Sequence, residues 1–309
     1  MKIAIIGTGG VGGYFGAKLA LAGHDVTFLA RGKHLQAMQK NGLTIKSIKG
    51  DFKLDKVNAT DKIQSIGPVD LVMICVKAWQ VKETAAELVS IVTPDTMVLP
   101  MQNGVLAAEE LGEFLPEQSI LGGLCRIISK IEAPGVINHF GVEPTIIFGE
   151  LDNQPTARTL QLQQLFEQAG ILAKVATNIQ AELWKKFIGI CVSGLLAVTR
   201  STYGQVLELP QTRQLVVELL TEVCALAQRA GIQIEADFVA RTILNFEALP
   251  PDSTASLTRD VWEGKPSEIE YQNGTVVRLA EKYNVPVPVN RFVYYCILPM
   301  ERRAREKRK

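Results

Sequence analysis

The sequence lacks the features that mark several large classes of protein. Lysine and arginine total 33 against 32 for aspartate and glutamate, so no net field draws the chain to nucleic acid or to an anionic membrane. No apolar segment reaches the roughly 20 residues that span a bilayer, and no charged segment with a cleavage site precedes the first apolar residues. We therefore predict a cytoplasmic protein with no nucleic-acid or membrane partner.

Cysteine is scarce and scattered. The five cysteines lie far apart, mostly within apolar segments, at Cys75, Cys125, Cys191, Cys224 and Cys296. Neither the close spacing of a metal-binding CxxC pair nor the density of a disulfide-stapled domain is present. The sequence predicts free thiols and no metal site.

Charge of one sign accumulates only at the C-terminus, from Arg302 to Lys309. Such a run is typical either of a basic patch for nucleic acid or of a solvated chain end. Since charge runs usually behave as solvated chain ends, we predict a frayed and solvated end.

The N-terminal half alternates between strand-like and helix-like segments. Lys2–Ile6 and Asp25–Leu29 are predicted strands on either side of a helix over Gly12–Ala22, and Leu71–Val76 and Thr96–Leu99 are predicted buried strands. This alternation predicts a parallel, doubly wound sheet with helices on both faces.

The pattern changes further along the chain. From Ile120 to Phe148, β-prone segments broken by glycine and proline predict an antiparallel edge of the same sheet. After Asn178 helical patterns take over, at Glu182–Val198, Arg213–Ala230, Ala236–Asn245 and Ser267–Tyr283. For this chain of 309 residues we predict an α/β fold, with a Rossmann-type domain at residues 1–177 and an all-helical domain at residues 178–309.

A glycine-rich segment precedes the first predicted helix. It has the G-x-G-x-x-G pattern and consists of Gly7, Thr8, Gly9, Gly10, Val11 and Gly12. Gly7 permits a tight turn, Gly9 lets the backbone approach a pyrophosphate, and Gly12 lets the helix pack against the strand. Since the motif joins a predicted strand to a predicted helix, it predicts a dinucleotide with its phosphates at the helix N-terminus.

The end of the second predicted strand indicates which dinucleotide binds. NAD enzymes usually have an acidic residue there, against the ribose hydroxyls, but this chain has Arg31, followed by Lys33 and His34. A guanidinium suits a 2′-phosphate, so we predict NADPH as the cofactor. The alternative is that Arg31 is an ordinary solvated side chain.

Three other polar segments stand where packing alone favours apolar residues. Lys77 and Gln102–Gly104 follow predicted strands, at the edge of a parallel sheet where ligands bind. Lys185 and Lys186 interrupt an apolar helix face that Trp184 shares with its neighbours. We predict that one of these two lysines points inward.

Taken in order, these segments resemble the ketopantoate reductase (2-dehydropantoate 2-reductase) family over nearly the whole chain. The matching segments are the glycine motif with Arg31, Val76–Ala78, Gln102–Gly104, Trp184–Lys186 and Glu268–Gly274. The resemblance implies a helical domain like that of 6-phosphogluconate dehydrogenase and an active site between the two domains. It also implies the reduction of ketopantoate to (R)-pantoate by NADPH, a step of pantothenate biosynthesis.

The resemblance also implies roles for individual residues. Lys186 matches the catalytic lysine, and Glu268 matches the helical-domain carboxylate at the cofactor and substrate. Ser256 matches a substrate-binding serine, and Asn103 matches an asparagine shared by the substrate and the nicotinamide ribose. Elementary chemistry agrees, because hydride delivery to a carbonyl develops alkoxide charge that an ammonium can protonate. Lys77 is a candidate for holding the substrate or the nicotinamide amide.

Each assignment has an ordinary structural alternative. Lys186 could extend from a core-facing helix into solvent, and Glu268 could stabilise a helix start that Ser267 caps. Ser256 could cap a turn, and Asn103 could serve only a turn.

The chain departs from the family on the substrate side. Family members carry substrate-binding asparagines four and eight residues after the catalytic lysine, where this chain has Ile190 and Gly194. Since neither residue donates a hydrogen bond from its side chain, the exact 2-oxo acid stays open. Ser193, Thr199 and Arg200 are candidate substitutes, and Arg200 would bring a positive charge to an acid substrate.

Two alternatives to ketopantoate reduction remain. The same scaffold could reduce another small 2-oxo acid or carbonyl compound, or it could be a non-catalytic NADPH sensor. The presence of both Lys186 and Glu268 speaks against a sensor, which needs no proton donor. The apolar helical domain is compatible with a homodimer.

Overall fold

The computed structural model describes residues 1–307. Contacts divide them into two compact units, of which the first contains Met1–Gln102 and Leu106–Glu182. The second contains Asn103–Val105 and the chain from Leu183 onward. A helix at Ile179–Ile190 runs through this division, and the exact boundary after residue 177 stays a prediction.

The first unit combines strands and helices. In chain order they are β1 (Lys2–Ile6), α1 (Gly10–Leu21), β2 (Asp25–Leu29), α2 (Gly32–Asn41), β3 (Leu43–Ser47), β4 (Phe52–Leu54), β5 (Asn58–Thr60), β6 (Leu71–Ile74), α3 (Val81–Leu88), β7 (Met97–Pro100), α4 (Ala107–Gly112), β8 (Leu121–Ala133), β9 (Val136–Glu150), α5 (Ala157–Gln168) and β10 (Leu172–Val175).

The chain then becomes helical. The α-helices are α6 (Ile179–Ile190), α7 (Val192–Thr199), α8 (Tyr203–Glu208), α9 (Pro210–Arg229), α10 (Phe238–Glu247), α11 (Ser256–Trp262), α12 (Asn273–Tyr283) and α13 (Pro288–Glu306). The predicted α/β fold followed by a helical region is confirmed.

The first sheet is parallel, in the order β5-β2-β1-β6-β7. Its central strand β1 is buried on both faces, because Ile3 and Ile5 pack into one hydrophobic cluster and Ala4 and Ile6 into another. Such a doubly covered strand needs an uninterrupted apolar segment, which explains why the sequence predicts it. Both predicted strands flanking α1 match the observed bounds.

The prediction that the segment from Ile120 to Phe148 continues this sheet is wrong. Strands β8 and β9 pair with each other in antiparallel fashion, as predicted, but they belong to a second sheet of order β10-β9-β3-β4. Strand β9 runs parallel to both β3 and β10. Strand β3, which also pairs with β4, offers β9 a separate partner, and both short strands carry too few apolar residues to be recognised as strands in advance.

Two predicted helices are interrupted. The helix predicted over Glu182–Val198 is two helices, α6 and α7, separated at Cys191. The helix predicted over Ser267–Tyr283 is a 3₁₀ turn at Ile269–Tyr271 followed by α12. Gln272 lies between them with φ −111° and ψ −102°, outside the helical region, which breaks the run of helical backbone.

The predicted frayed C-terminus is wrong for the part of it that the structure describes. Helix α13 continues to Glu306, and Ala304 is buried. Arg305 forms an ion pair with Glu301 one turn earlier. One face of this charged segment therefore packs within the second unit. Arg308 and Lys309 lie outside the described residues.

Other sequence expectations concern cysteines and membranes. All five cysteines are free thiols, as predicted. Burial raises the pKa of Cys191, and it raises that of Cys224 to about 11, so these thiols are protonated at neutral pH. Within residues 1–307, no helix combines the length and the apolar character needed to cross a membrane.

Candidate active site

Three glycines of the N-terminal motif are required by the packing of the protein itself. Gly7 has φ +99°, and a methyl group on it would lie 2.8 Å from the backbone nitrogen of Val76. A methyl group on Gly10 would lie 2.5 Å from the backbone of Ser129, and one on Gly12 would lie 2.2 Å from the carbonyl oxygen of Gly7. The close helix–strand packing at Gly12 is the role that the motif predicts.

Gly9 differs from these three glycines. A methyl group on it would meet no protein atom within 4 Å, and its φ of −84° is open to any residue. Gly9 caps the N-terminus of α1, whose first turn contains no acidic side chain. The packing of the protein does not itself require a glycine at position 9. A residue without a side chain at a helix N-terminus fits the close approach of a pyrophosphate. The residues present therefore fit a dinucleotide.

Thr8 stabilises this loop through two hydrogen bonds to strand β2. Its backbone N–H and its Oγ1 both donate to the carbonyl oxygen of Leu29, each at 2.9 Å. The side chain is buried, so its hydroxyl serves the loop and strand β2. Val11 is half-buried and packs against the core of the first unit.

Arg31 lies at the N-terminal cap of α2, directly beyond strand β2, and its side chain is exposed. The first turn of α2 has no acidic residue, and Lys33 adds a second exposed positive charge. His34 is structural, because its Nδ1 accepts the backbone N–H of Gly135 at 3.0 Å. Burial lowers the pKa of His34, although the backbone of Thr8 acts in the opposite direction. The imidazole is therefore neutral near pH 7.

Lys77 and Gln102 lie at the carboxyl ends of neighbouring strands β6 and β7. Lys77 is exposed, with its Nζ 5.7 Å from the centre of the Trp79 ring. The buried amide of Gln102 donates to the carbonyl oxygens of Ile74 at 2.7 Å and Val76 at 3.0 Å. Gln102 thus fixes the backbone that leads to Lys77. The sequence pattern marks the segment Gln102–Gly104, but this backbone-fixing role of Gln102 does not follow from it.

In the second unit, the structure distinguishes the two neighbouring lysines of α6. Lys185 forms an ion pair with Glu235 at 2.6 Å, and this hydrogen bond is the main cause that lowers the pKa of Glu235. Lys186 is half-buried, and consecutive helical residues point about 100° apart. Trp184 and Phe187 are buried and pack edge to face, as the apolar pattern predicts.

Glu268 is nearly fully buried, and its Oε2 accepts a hydrogen bond from Nδ2 of Asn103 at 3.3 Å. This bond joins two of the sequence motifs across 165 residues of chain. The alternative of a helix start capped by Ser267 is wrong, because the hydroxyl of Ser267 donates to Glu301 instead. No side chain caps the 3₁₀ turn after Glu268.

Ser256 is the first residue of α11, and its side chain is exposed. No side-chain cap is formed at this helix start. The preceding turn is held by Arg259, which donates to the carbonyl oxygen and the hydroxyl of Thr254. Turn capping is therefore not the role of Ser256.

Position 194 has no room for a side chain. A methyl group on Gly194 would lie 2.5 Å from Oδ1 of Asn273 and 2.7 Å from Val293. Ile190, one turn after Lys186 on the same helix face, is half-buried against the helical core. Four and eight residues after Lys186, the chain therefore has an apolar side chain at Ile190 and no space for a side chain at Gly194.

Ser193, Thr199 and Arg200, the candidate replacements for the missing substrate-binding asparagines, contact other groups of the protein. Ser193 is buried and donates to Oε1 of Gln272 at 2.8 Å, and Thr199 donates back to the carbonyl oxygen of Leu195 at 2.9 Å. Arg200 has φ +53° at the end of α7, and its guanidinium lies 5.7 Å from the ring centre of Trp262. Arg200 lies at the end of α7, whereas Lys186 lies on α6, before the break at Cys191.

No metal centre is evident in the described part of the chain. Within it, no three side chains of the histidine, cysteine, aspartate or glutamate type lie close enough together to hold an ion.

Comparisons with known proteins give matches over nearly the whole chain. Residues 3–153 match the family model described as ketopantoate reductase PanE/ApbA, and residues 178–301 match its C-terminal counterpart. The 2-dehydropantoate 2-reductase of Nostoc sp. is 32% identical over 95% of this chain and 93% of that protein. The uncharacterized oxidoreductase YkpB of Bacillus subtilis is 27% identical over 95% of this chain and 97% of that protein.

A solved structure agrees with these matches. The crystal structure of a PanE/ApbA family ketopantoate reductase from Ralstonia eutropha JMP134 is similar with a TM-score of 0.91. It is 30% identical in sequence, and the match covers 99% of this chain and 100% of that chain.

Proposed function

Since the chain belongs to the ketopantoate reductase family, we propose that it reduces ketopantoate to (R)-pantoate with NADPH. The family consists of oxidoreductases that reduce 2-oxo acids with NAD(P)H. The observation that carries the proposal is the hydrogen bond between Asn103 and Glu268, which joins two polar motifs from distant parts of the chain. Burial of such a polar pair is costly and needs a reason beyond packing.

The glycine loop and Arg31 hold the cofactor in this proposal. The bare backbone of Gly9 at the N-terminus of α1 would receive the pyrophosphate. The guanidinium of Arg31 takes the 2′-phosphate through charge-assisted hydrogen bonds. When bound, the nicotinamide supplies the hydride that reduces the substrate carbonyl.

Five polar residues bind the substrate and supply the proton in this proposal. The Nζ of Lys186 stabilises the developing alkoxide and donates the proton that completes the hydroxyl group, a contribution of about 10²- to 10⁴-fold. Asn103 and Ser256 donate hydrogen bonds to the polar groups of the 2-oxo acid, and Lys77 holds the substrate or the nicotinamide amide. Glu268 orients Asn103 by accepting from its amide.

A second candidate is the reduction of a different 2-oxo acid. The observation that favours it is the helix face after Lys186, where Ile190 offers no donor and Gly194 is closed by Asn273. Ketopantoate has a hydroxyl group that needs hydrogen-bond partners, whereas an apolar 2-oxo acid does not. Turnover of apolar 2-oxo acids in preference to ketopantoate would decide for this candidate.

The test is NADPH consumption, followed by its near-ultraviolet absorbance, with ketopantoate and a panel of apolar 2-oxo acids. We expect Lys186→Ala to lower kcat by about 10²- to 10⁴-fold, because it removes the general acid. Lys185→Ala is the matched control, since it removes the neighbouring charge and its ion pair with the half-exposed Glu235. We expect it to keep kcat within about twofold.

Three outcomes contradict the proposal in different ways. Activity that survives Lys186→Ala removes the catalytic role of that lysine. Turnover restricted to other 2-oxo acids removes ketopantoate as the substrate. Tight binding of NADPH without turnover of any acid indicates a dinucleotide sensor.

A further inference from the structure

The last turns of α13 are hydrogen-bonded to Ser267, the residue before Glu268. Oε2 of Glu301 accepts from the backbone N–H of Ser267 at 2.9 Å and from its hydroxyl at 2.7 Å. Nη2 of Arg305 donates to the carbonyl oxygen of Ser267 at 3.3 Å. Both backbone polar groups of Ser267 and its side chain are thereby bound to one helix.

The two gripping residues are also bound to each other. Nε of Arg305 lies 2.6 Å from Oε1 of Glu301, and the side chain of Glu301 is only 4% exposed. A buried carboxylate costs several kcal/mol unless it is paired and fully hydrogen-bonded. Arg305 supplies the opposite charge at Oε1, and Ser267 supplies two hydrogen bonds to Oε2, although Oε1 itself accepts no hydrogen bond within residues 1–307. We call Glu301 and Arg305 the α13 clamp.

The backbone is held on the other side of Glu268 as well. Its carbonyl oxygen accepts from the N–H of Tyr271 and of Gln272, each at 3.0 Å. Ser267 before it has no exposed surface, and the 3₁₀ turn follows directly. The Cα of Glu268 is therefore fixed by the clamp and by the turn, and the direction of its side chain follows from both.

We propose that Glu301 and Arg305 are positioning residues, which hold the carboxylate of Glu268 in the orientation that accepts from Asn103. This inference rests on the proposed function for the role of Glu268 in turnover. The clamp acts through Ser267 and the backbone of Glu268. A carboxylate displaced by even 1 Å loses much of its effect, about 10²-fold in sensitive cases.

The variant Glu301→Gln tests the clamp. An amide at this position places a donor opposite either Ser267 or Arg305, so one arm of the grip is lost. We expect kcat/KM to fall about tenfold, mainly through kcat. In a Glu268→Ala background the same substitution causes no further loss, because there is no carboxylate left to orient.

The control is Glu306→Gln on the same helix. It removes the i,i+4 ion pair of Arg302 and Glu306, which matches the spacing of the clamp pair but does not touch Ser267. We expect kcat/KM within about twofold of wild type. An equal loss for both variants would show that helix stability, and not the clamp, controls activity.

Hydrogen exchange of the peptide covering residues 264–272 gives a readout that does not need turnover. We expect faster exchange in Glu301→Gln than in Glu306→Gln. If wild type reduces no 2-oxo acid, the proposed function fails while this comparison still decides the clamp. Unchanged exchange, or a loss of kcat/KM that is equal in the wild-type and Glu268→Ala backgrounds, overturns the inference.

If Glu301→Gln does not fold, Ser267→Ala takes its place. It removes one of the two hydrogen bonds to Oε2 of Glu301 and leaves the backbone contacts intact. We expect a loss of about threefold in kcat/KM that again disappears in the Glu268→Ala background. A loss that persists there contradicts the positioning role.

Discussion

At position 31 a guanidinium stands where an NAD enzyme has a carboxylate. Arg31 is exposed at the cap of α2 and has no acidic residue beside it in the first helical turn. We expect Arg31→Ala to raise the Kd for NADPH about 10- to 100-fold and to leave the Kd for NADH within about twofold. Titration of the nicotinamide fluorescence with each cofactor measures both constants.

Lys33→Ala is the matched control for Arg31→Ala, because it removes an exposed positive charge two residues further on. An ammonium cannot replace the bidentate geometry of a guanidinium, so we expect a smaller loss of NADPH affinity. Equal losses for the two cofactors in Arg31→Ala would contradict the assignment of NADPH.

At the scale of single elements, substitutions at the start of α1 distinguish effects on folding from effects on cofactor binding. We expect Gly9→Ala to unfold at the wild-type temperature, because the new methyl group meets no protein atom within 4 Å. The same methyl group stands between the backbone and the pyrophosphate, so the Kd for NADPH rises at least about tenfold.

Gly12→Ala is the counterpart in the same helix. Its methyl group would lie 2.2 Å from the carbonyl oxygen of Gly7, so we expect a loss of about 1–3 kcal/mol in the free energy of unfolding. Thermal and denaturant unfolding of both variants measure the difference. A Gly9→Ala protein that binds NADPH as well as wild type would remove the pyrophosphate from this loop.

The elements differ in how far the sequence could predict them. Strand β1 and helix α1 carry strong local signals, namely a buried β-branched segment and a glycine motif. Strand β3 alternates apolar and polar residues over only five positions, and nothing local indicates that β9 pairs with it. The break at Cys191 is also hard to predict, because the apolar pattern continues on both sides, although the adjacent Gly189, Ile190 and Val192 are poor helix formers. Pairing between distant segments is set by tertiary contacts and not by local pattern.

The site shows the same division. The motifs single out Asn103, Lys186 and Glu268, whose roles stay predictions. The ion pair of Lys185 with Glu235, fifty residues away in sequence, could not be predicted from local spacing. The contacts of Ser267 with Glu301 also needed the fold, because hydrogen-bond partners 34 residues apart leave no mark in local spacing.

On the scale of the whole molecule, half-buried histidines make stability depend on pH. Burial lowers the pKa of His34 and of His24 below the ordinary histidine value of about 6.5. The unfolded chain therefore binds more protons than the folded chain below about pH 6.5, and the free energy of unfolding falls as the pH falls through this range. Carboxylates with lowered pKa, such as Glu150, act in the same direction only below about pH 4.5.

We expect His34→Asn to reduce this slope, because asparagine keeps an acceptor for the N–H of Gly135 but cannot be protonated. Denaturant unfolding between about pH 5 and 7 measures the slope, to which each histidine contributes at most about 1.4 kcal/mol per pH unit. His24→Asn combined with His34→Asn should flatten it further. A slope unchanged in the double variant would show that other groups cause it.

The steric freedom at Gly9 affects how this position can change during evolution. Larger side chains at Gly7, Gly10 and Gly12 would collide with the chain's own backbone, so selection for a folded protein would keep these glycines. At Gly9 only selection for the ligand would keep a glycine. In a lineage whose members stopped using the dinucleotide, residue 9 would drift first while its three neighbours stayed fixed, so this one position records whether the ancestral use is still maintained.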